Sequence, residues 1–182
     1  RRQRQMCIRD RNKGGGPLID GAIHNYDFAL QMFGPVSSVQ SSSLQFDTTS
    51  VGADTATAIL NFESGDQHAL MWSWGIAAGT PVTSLNDFIG PKGTLQFGMT
   101  SQTPPASFNP QTQGAFTLKA ANGREKVYTY RKKDMFAEQA KHVIRCFERN
   151  EQPLVTAGDG LAALSVADAV LRAGRNQSTV KL

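Results

Sequence analysis

Asp20 and His24 stand four residues apart at the head of a segment with helical spacing. That interval predicts two side chains on one helical face, within reach of the same ligand. A neutral imidazole near pH 7 can accept a hydroxyl proton while hydride leaves the carbon, so His24 reads as a general base. Asp20 could orient that ring or hold a substrate hydroxyl. Gly14, Gly15 and Gly16, just upstream, would let the backbone come close to a bound ligand. A plainer reading stands beside this one. An acid near a helix N-terminus favours the dipole, and an i,i+4 Asp–His pair is an ordinary helix-stabilising contact. Asp27, three residues past His24, could equally be a surface partner.

The remaining reactive side chains offer less. His68 falls in a predicted strand and His142 in a predicted helix, neither read with a partner at ligand spacing, so no metal site is expected. Cys146 lies beside Phe147 on that helix, where a packed thiol is the default. Trp72 and Trp74 alternate along one strand and share a face, as a sugar-stacking platform or as sheet core or subunit interface. Lys119, Lys126 and Arg131 read as solvated strand positions. No serine or cysteine carries a nucleophile motif.

The elements that must hold these residues follow from period and punctuation. Apolar residues at 19, 23, 26, 30 and 33 predict one helix over 19–33, stopped by Gly34-Pro35. Residues 36–46 read as a strand. Strands over 55–62 and 67–74 flank Glu63-Ser64-Gly65-Asp66 as a hairpin, and strands over 82–89 and 94–97 bracket Gly90-Pro91-Lys92-Gly93. Residues 98–114 are rich in Ser, Thr, Gln and Pro and read as a long surface loop. Strands over 115–120 and 125–130 surround Asn122-Gly123. Two helices close the chain. The first carries the stripe Phe136, Ala140, Val143, Ile144 and Phe147 behind Asp134 as N-cap. The second runs over 158–174 with Thr156 and Asp159 in capping-box spacing. Helix, hairpin-linked strands, then helices predict an α+β fold with a largely antiparallel open sheet and the helices packed on one face. No strand, GxGxxG turn and helix occurs in that order, so a doubly wound nucleotide-binding domain is not expected within these residues.

At 182 residues, with 40% hydrophobic and 19% charged residues, the chain suits one globular domain with a sizeable core. No apolar run approaches the roughly 18 residues of a membrane span. Two cysteines, Cys7 and Cys146, make no disulfide framework, which fits a reducing compartment and a cytoplasmic location. The formal charge of +4 is misleading, because residues 1–13 hold six basic residues (Arg1, Arg2, Arg4, Arg9, Arg11, Lys13) against Asp10 alone. Without them the balance turns slightly acidic. No aromatic or glycine pattern supports nucleic-acid binding. The leader itself, RRQRQMCIRDR, resembles translated sequencing-adaptor sequence. Residues 1–13 are therefore expected to be non-native or disordered, and 14–182 to form the domain.

The run GGGPLIDGAIHNYDFALQMFG resembles the glycine–Asp–His segment of the Gfo/Idh/MocA oxidoreductase family and the helix after it. DTATAILNFESGDQHALMWSW is similar to the family's hairpin, and FIGPKGTLQF to its strand turn. FAEQAKHVIRCFERNEQPLVTAGDGLAALSVADAVLRAGRN is similar to its two closing helices. The resemblance covers residues 14–182 and implies the C-terminal, substrate-binding domain of an NAD(P)-dependent oxidoreductase acting on a sugar, cyclitol or related polyol. It implies His24 as the group that takes or returns the hydroxyl proton, with Asp20 beside it and Asp27 as a supporting acid. NAD or NADP, and a catalytic Lys, would belong mainly to an N-terminal Rossmann domain that these residues lack, so the chain alone is expected to be inactive. One departure is local: the family's glycine two after the Asp is Ala22 here, with Gly21 preceding it.

Two other readings share the fold. One is a non-catalytic sugar-sensing regulator. The other is an oligomerisation module, since the apolar strands 55–62 and 67–74 could pack face to face between copies. A homo-oligomer through that sheet face is expected in any case, with no membrane or nucleic-acid partner.

Overall fold

The computed structural model describes residues 16–46, 52–77, 80–81, 86–98 and 107–182. The leader, Gly14, Gly15, residues 82–85 and residues 99–106 of the expected loop lie outside them. The chain divides into two compact units, Arg1–Thr80 with Leu154–Leu182, and Pro81–Pro153. In chain order the elements begin α1 (Pro17–Asp20), α2 (Ile23–Phe33), β1 (Val36–Leu44), β2 (Thr55–Phe62), β3 (Gln67–Ser73), β4 (Asp87–Gly90) and β5 (Gly93–Phe97). They continue β6 (Gln113–Ala120), β7 (Glu125–Arg131), α3 (Met135–Arg149), α4 (Ala157–Asn176) and β8 (Val180–Lys181).

The first unit is an antiparallel sheet in the order β3-β2-β1-β8, with α2 and α4 on one face. Alternation along β2 sends Ala56, Ala58, Leu60 and Phe62 inward, the period-2 pattern of a half-buried strand. They meet Tyr26 and Ala29 of α2 and Val166, Ala167, Ala169, Val170 and Ala173 of α4 in one apolar core. The small residues of α4 bring its backbone close to β1. A Cβ on Gly174 would stand 2.7 Å from Ser43 Oγ. Helix α4 opens with the expected capping box, Thr156 Oγ1 accepting from the Asp159 N–H and the Asp159 carboxylate accepting from the Thr156 N–H. Gly34, at φ 84°, closes α2 with its N–H on the Leu30 carbonyl. Where β1 ends and β2 begins, the buried Asp54 carboxylate accepts from the Phe46 N–H and the Thr55 hydroxyl.

The expected single helix over 19–33 is broken. Helix α1 stops at Asp20 and α2 starts at Ile23. The N–H groups of Gly21 and Ala22 both donate to the Pro17 carbonyl, at 3.0 and 2.8 Å. The second bond reaches five residues back, a widened turn of the π type. The apolar period runs through this break unchanged, which is why spacing alone predicts one helix.

The second unit is the antiparallel meander β4-β5-β6-β7 followed by α3. The Asn122-Gly123 signal marks a turn, but the loop is four residues long, closed by Gly123 N–H on the Ala120 carbonyl and by Arg124 N–H on Asn122 Oδ1. Asp134 caps α3 by accepting from the Phe136 and Ala137 N–H groups. None of the α3 residues is buried, and Phe136 and Phe147 are 74% and 86% exposed. The α+β class and the antiparallel pairing are those the sequence implies. The described strands, however, divide between two four-stranded sheets. Of the two closing helices, α4 lies on the first sheet and α3 belongs to the second unit.

Candidate active site

Pro17 at the first position sets α1 for helix entry, and Gly16 before it has φ 73°, a conformation that favours glycine. Gly16 is buried, and a Cβ on it would come within 3.3 Å of the Ala53 carbonyl oxygen. Of the three candidate glycines, then, the one described here brings backbone close to the protein's own loop. Helix α1 lies against β2, β3 and α4 and delivers Asp20, its last residue, to the surface. His24 is the second residue of α2 and is also exposed. The two candidate residues therefore flank the break, one on each helix.

Among the described residues no hydrogen bond or ion pair joins Asp20, His24 and Asp27. Asp27 instead accepts from the Gln31 amide, 3.2 Å from each of its oxygens. The simple i,i+4 pair that would make Asp20 and His24 only a helix-stabilising contact is not formed. Both residues are exposed to solvent.

The floor beneath them is apolar and close-packed. Ala22 and Tyr26 are fully buried, and burial pushes the Tyr26 hydroxyl above its usual pKa, keeping it protonated. Its oxygen and the Trp72 indole nitrogen are buried without a hydrogen-bond partner among the described residues. The Trp72 indole also occupies the space a Cβ on Gly21 would need, with Nε1 2.6 Å from that position. Trp72 was legible as a strand residue, but nothing local in the sequence ties it to Gly21. His68 Nδ1 is likewise buried and unpartnered, and desolvation lowers the His68 pKa.

Elsewhere, His142 does have a neighbour at i,i+4, contrary to the spacing argument made from the sequence: Cys146 Sγ lies 3.5 Å from His142 Nε2. Arg145 Nη2 lies 3.1 Å from His142 Nδ1. Among the described residues no group of three or more His, Cys, Asp or Glu side chains could hold a metal. Nor is any described helix long and apolar enough to cross a membrane.

Solved structures share this fold. An aldose-aldose oxidoreductase from Caulobacter crescentus, complexed with glycerol, superposes with a TM-score of 0.70 at 25% identity, covering 93% of this chain and 48% of its own. An oxidoreductase from Agrobacterium radiobacter in complex with NAD+, L-tartaric acid and magnesium gives 0.68 at 17% identity, covering 90% of this chain and 48% of its own. The WlbA dehydrogenase from Bordetella pertussis, in complex with NADH and UDP-GlcNAcA, gives 0.63 at 18%, covering 92% and 45%. The chain thus spans about half the length of the structures it resembles. No protein of curated function matches it. A family model described as the oxidoreductase family, C-terminal alpha/beta domain, matches residues 2–182. On a match of that extent, the chain belongs to the Gfo/Idh/MocA oxidoreductases and is their C-terminal alpha/beta domain.

Proposed function

We propose that this chain is the substrate-binding half of an NAD(P)-dependent oxidoreductase acting on a sugar, cyclitol or related polyol. The observation that carries this reading is the exposed, mutually unpaired placement of Asp20 and His24 on either side of the helix break. His24 accepts the hydroxyl proton of the substrate on an imidazole nitrogen and returns it in the reverse direction. Asp20 accepts a hydrogen bond from a neighbouring hydroxyl and fixes which carbon is presented. Asp27, held by Gln31, supports the helix surface next to His24. The bound glycerol and L-tartaric acid of two structural relatives are both polyhydroxylated, which fits such a site.

The dinucleotide would be held mainly by another domain. Among the described residues every strand pairing is antiparallel, and a dinucleotide crevice is built from parallel βαβ units. That supports placing NAD or NADP mainly on a domain outside these residues, where it would supply hydride transfer. The 182-residue chain alone is expected to give no turnover.

The test is His24→Ala in a form that carries a nucleotide-binding domain. General base loss should lower kcat by roughly 100-fold or more, with circular dichroism unchanged. Turnover unaffected by His24→Ala would instead favour a sensor or an assembly module. For the partner, a second copy of this chain is proposed to meet the outer face of the β1–β3 sheet.

A further inference from the structure

We propose that Trp72 is a positioning residue for Asp20 and His24: its indole, wedged against Gly21, opens the turn between them and holds their side chains apart. This rests on the reading of Asp20 and His24 as the working pair. The wedge is visible in three observations. A Cβ on residue 21 would lie 2.6 Å from Trp72 Nε1 and 2.8 Å from both Cε2 and Cζ2, closer than real Cβ atoms come to anything. The backbone at Gly21, φ −86° and ψ −54°, is one that any residue adopts, so glycine is needed there for the indole's approach and not for its own conformation. And the backbone bonding changes at this point. Gly21 and Ala22 both donate to Pro17, whereas Asn25 and Tyr26 both donate to Ala22, so the helix restarts at Ala22.

In an unbroken helix residues 20 and 24 would be vertical neighbours, about 5–6 Å apart at Cβ, and an acid and an imidazole there would pair. Held apart, the two side chains can engage two neighbouring hydroxyls of one substrate, His24 taking the proton of one and Asp20 accepting from the other. The ring is held from behind. Trp72 sits in β3 opposite Ala56 of β2 and packs against the buried core. Its Nε1 is left without an acceptor among the described residues, so no hydrogen bond of that N–H accounts for the ring's place. The shape of the indole against Gly21 does.

The experiment is NMR on the isotopically labelled chain, which needs no turnover. In the wild type, Cα shifts should show an interruption at Gly21-Ala22, with no Overhauser contact between the His24 ring and the Asp20 β protons. Trp72→Ala should give continuous helical shifts from residue 17 to 33 and bring that contact into view. Trp72→Phe, which keeps a flat aromatic wedge, should retain the wild-type pattern. Gly21→Ala should displace the Trp72 indole N–H resonance. A folded Trp72→Ala chain with the wild-type interruption overturns the proposal, as does a Gly21→Ala chain with an unmoved indole. Should Trp72→Ala fail to fold, the Gly21→Ala resonance decides alone. In a form carrying a nucleotide-binding domain, Trp72→Ala should cut kcat at least tenfold with KM within about threefold, and Trp72→Phe should restore it. If His24→Ala leaves turnover intact, the functional reading fails while the NMR result still stands on its own.

Discussion

Burial holds His68 below the usual histidine pKa, because its Nδ1 is out of water with no partner among the described residues. The unfolded chain then binds this proton at a pH where the folded chain does not. The folded state is therefore favoured above the unfolded histidine pKa of about 6.5, and that stability falls away as pH drops through it. Melting temperatures at pH 7.5 and 5.5 should differ less in His68→Gln than in the wild type, and an equal acid loss in both would assign the sensitivity elsewhere. Gly16 gives a second test. At φ 73° with the Ala53 carbonyl 3.3 Å from any added Cβ, Gly16→Ala should cost about 1–2 kcal/mol in chemical denaturation. Residue type and spacing made Asp20, His24 and Asp27 readable as candidates. They did not reveal that Asp27 answers to Gln31, since both partners of an i,i+4 and an i,i+3 pair were present. Trp72 was readable only as one of two alternating tryptophans, because its contact with Gly21 spans fifty-one positions.

Elements bounded by local chemistry were legible. Asp134, Thr156 with Asp159, Gly34 and the Glu63–Asp66 turn each do in the structure what their sequence context implies, since caps and turns are settled within a few residues. Thr156→Ala removes the acceptor for the Asp159 N–H and the hydroxyl that donates to the Asp159 carboxylate, while the backbone N–H of residue 156, the larger cause of the lowered Asp159 pKa, still donates to it. The substitution should cost about 1 kcal/mol and fray the first turn of α4, read as faster amide exchange at residues 157–160. No change in either measurement would mean that the Thr156 side chain adds nothing at this end of α4. The α1–α2 break was not legible, because it comes from a ring on a strand and leaves the apolar period intact. Gly174 is the converse case. Read as the end of the last helix, it lies inside α4 and faces Ser43, a packing role that no propensity encodes.

At the scale of the whole molecule, the antiparallel α+β architecture was readable from element order, but the assignment of strands to two sheets was not. Hairpin signals fix neighbours and leave open which hairpins join. The same pairing register exposes a feature that alternation alone only hinted at. On the face of the first sheet away from α2 and α4, the rows run Leu44–Thr55–Ser73, Ser42–Thr57–Met71 and Gln40–Ile59–Ala69. Leu44, Ile59 and Met71 are 53%, 37% and 73% exposed there, with no Asp, Glu, Lys or Arg in these rows. An uncharged sheet face with exposed Leu44, Ile59 and Met71 is suited to an isologous contact with its own copy. Ile59→Lys with Met71→Lys places two like charges on each side of such a contact, where they would be desolvated without a partner. The expected outcome in sedimentation velocity is a dimer for the wild type at micromolar concentration and a monomer for the double variant. Circular dichroism should be the same for both, since neither side chain belongs to the core. A wild type that stays monomeric at 100 μM, or a double variant that still dimerises, would move the assembly surface off this sheet.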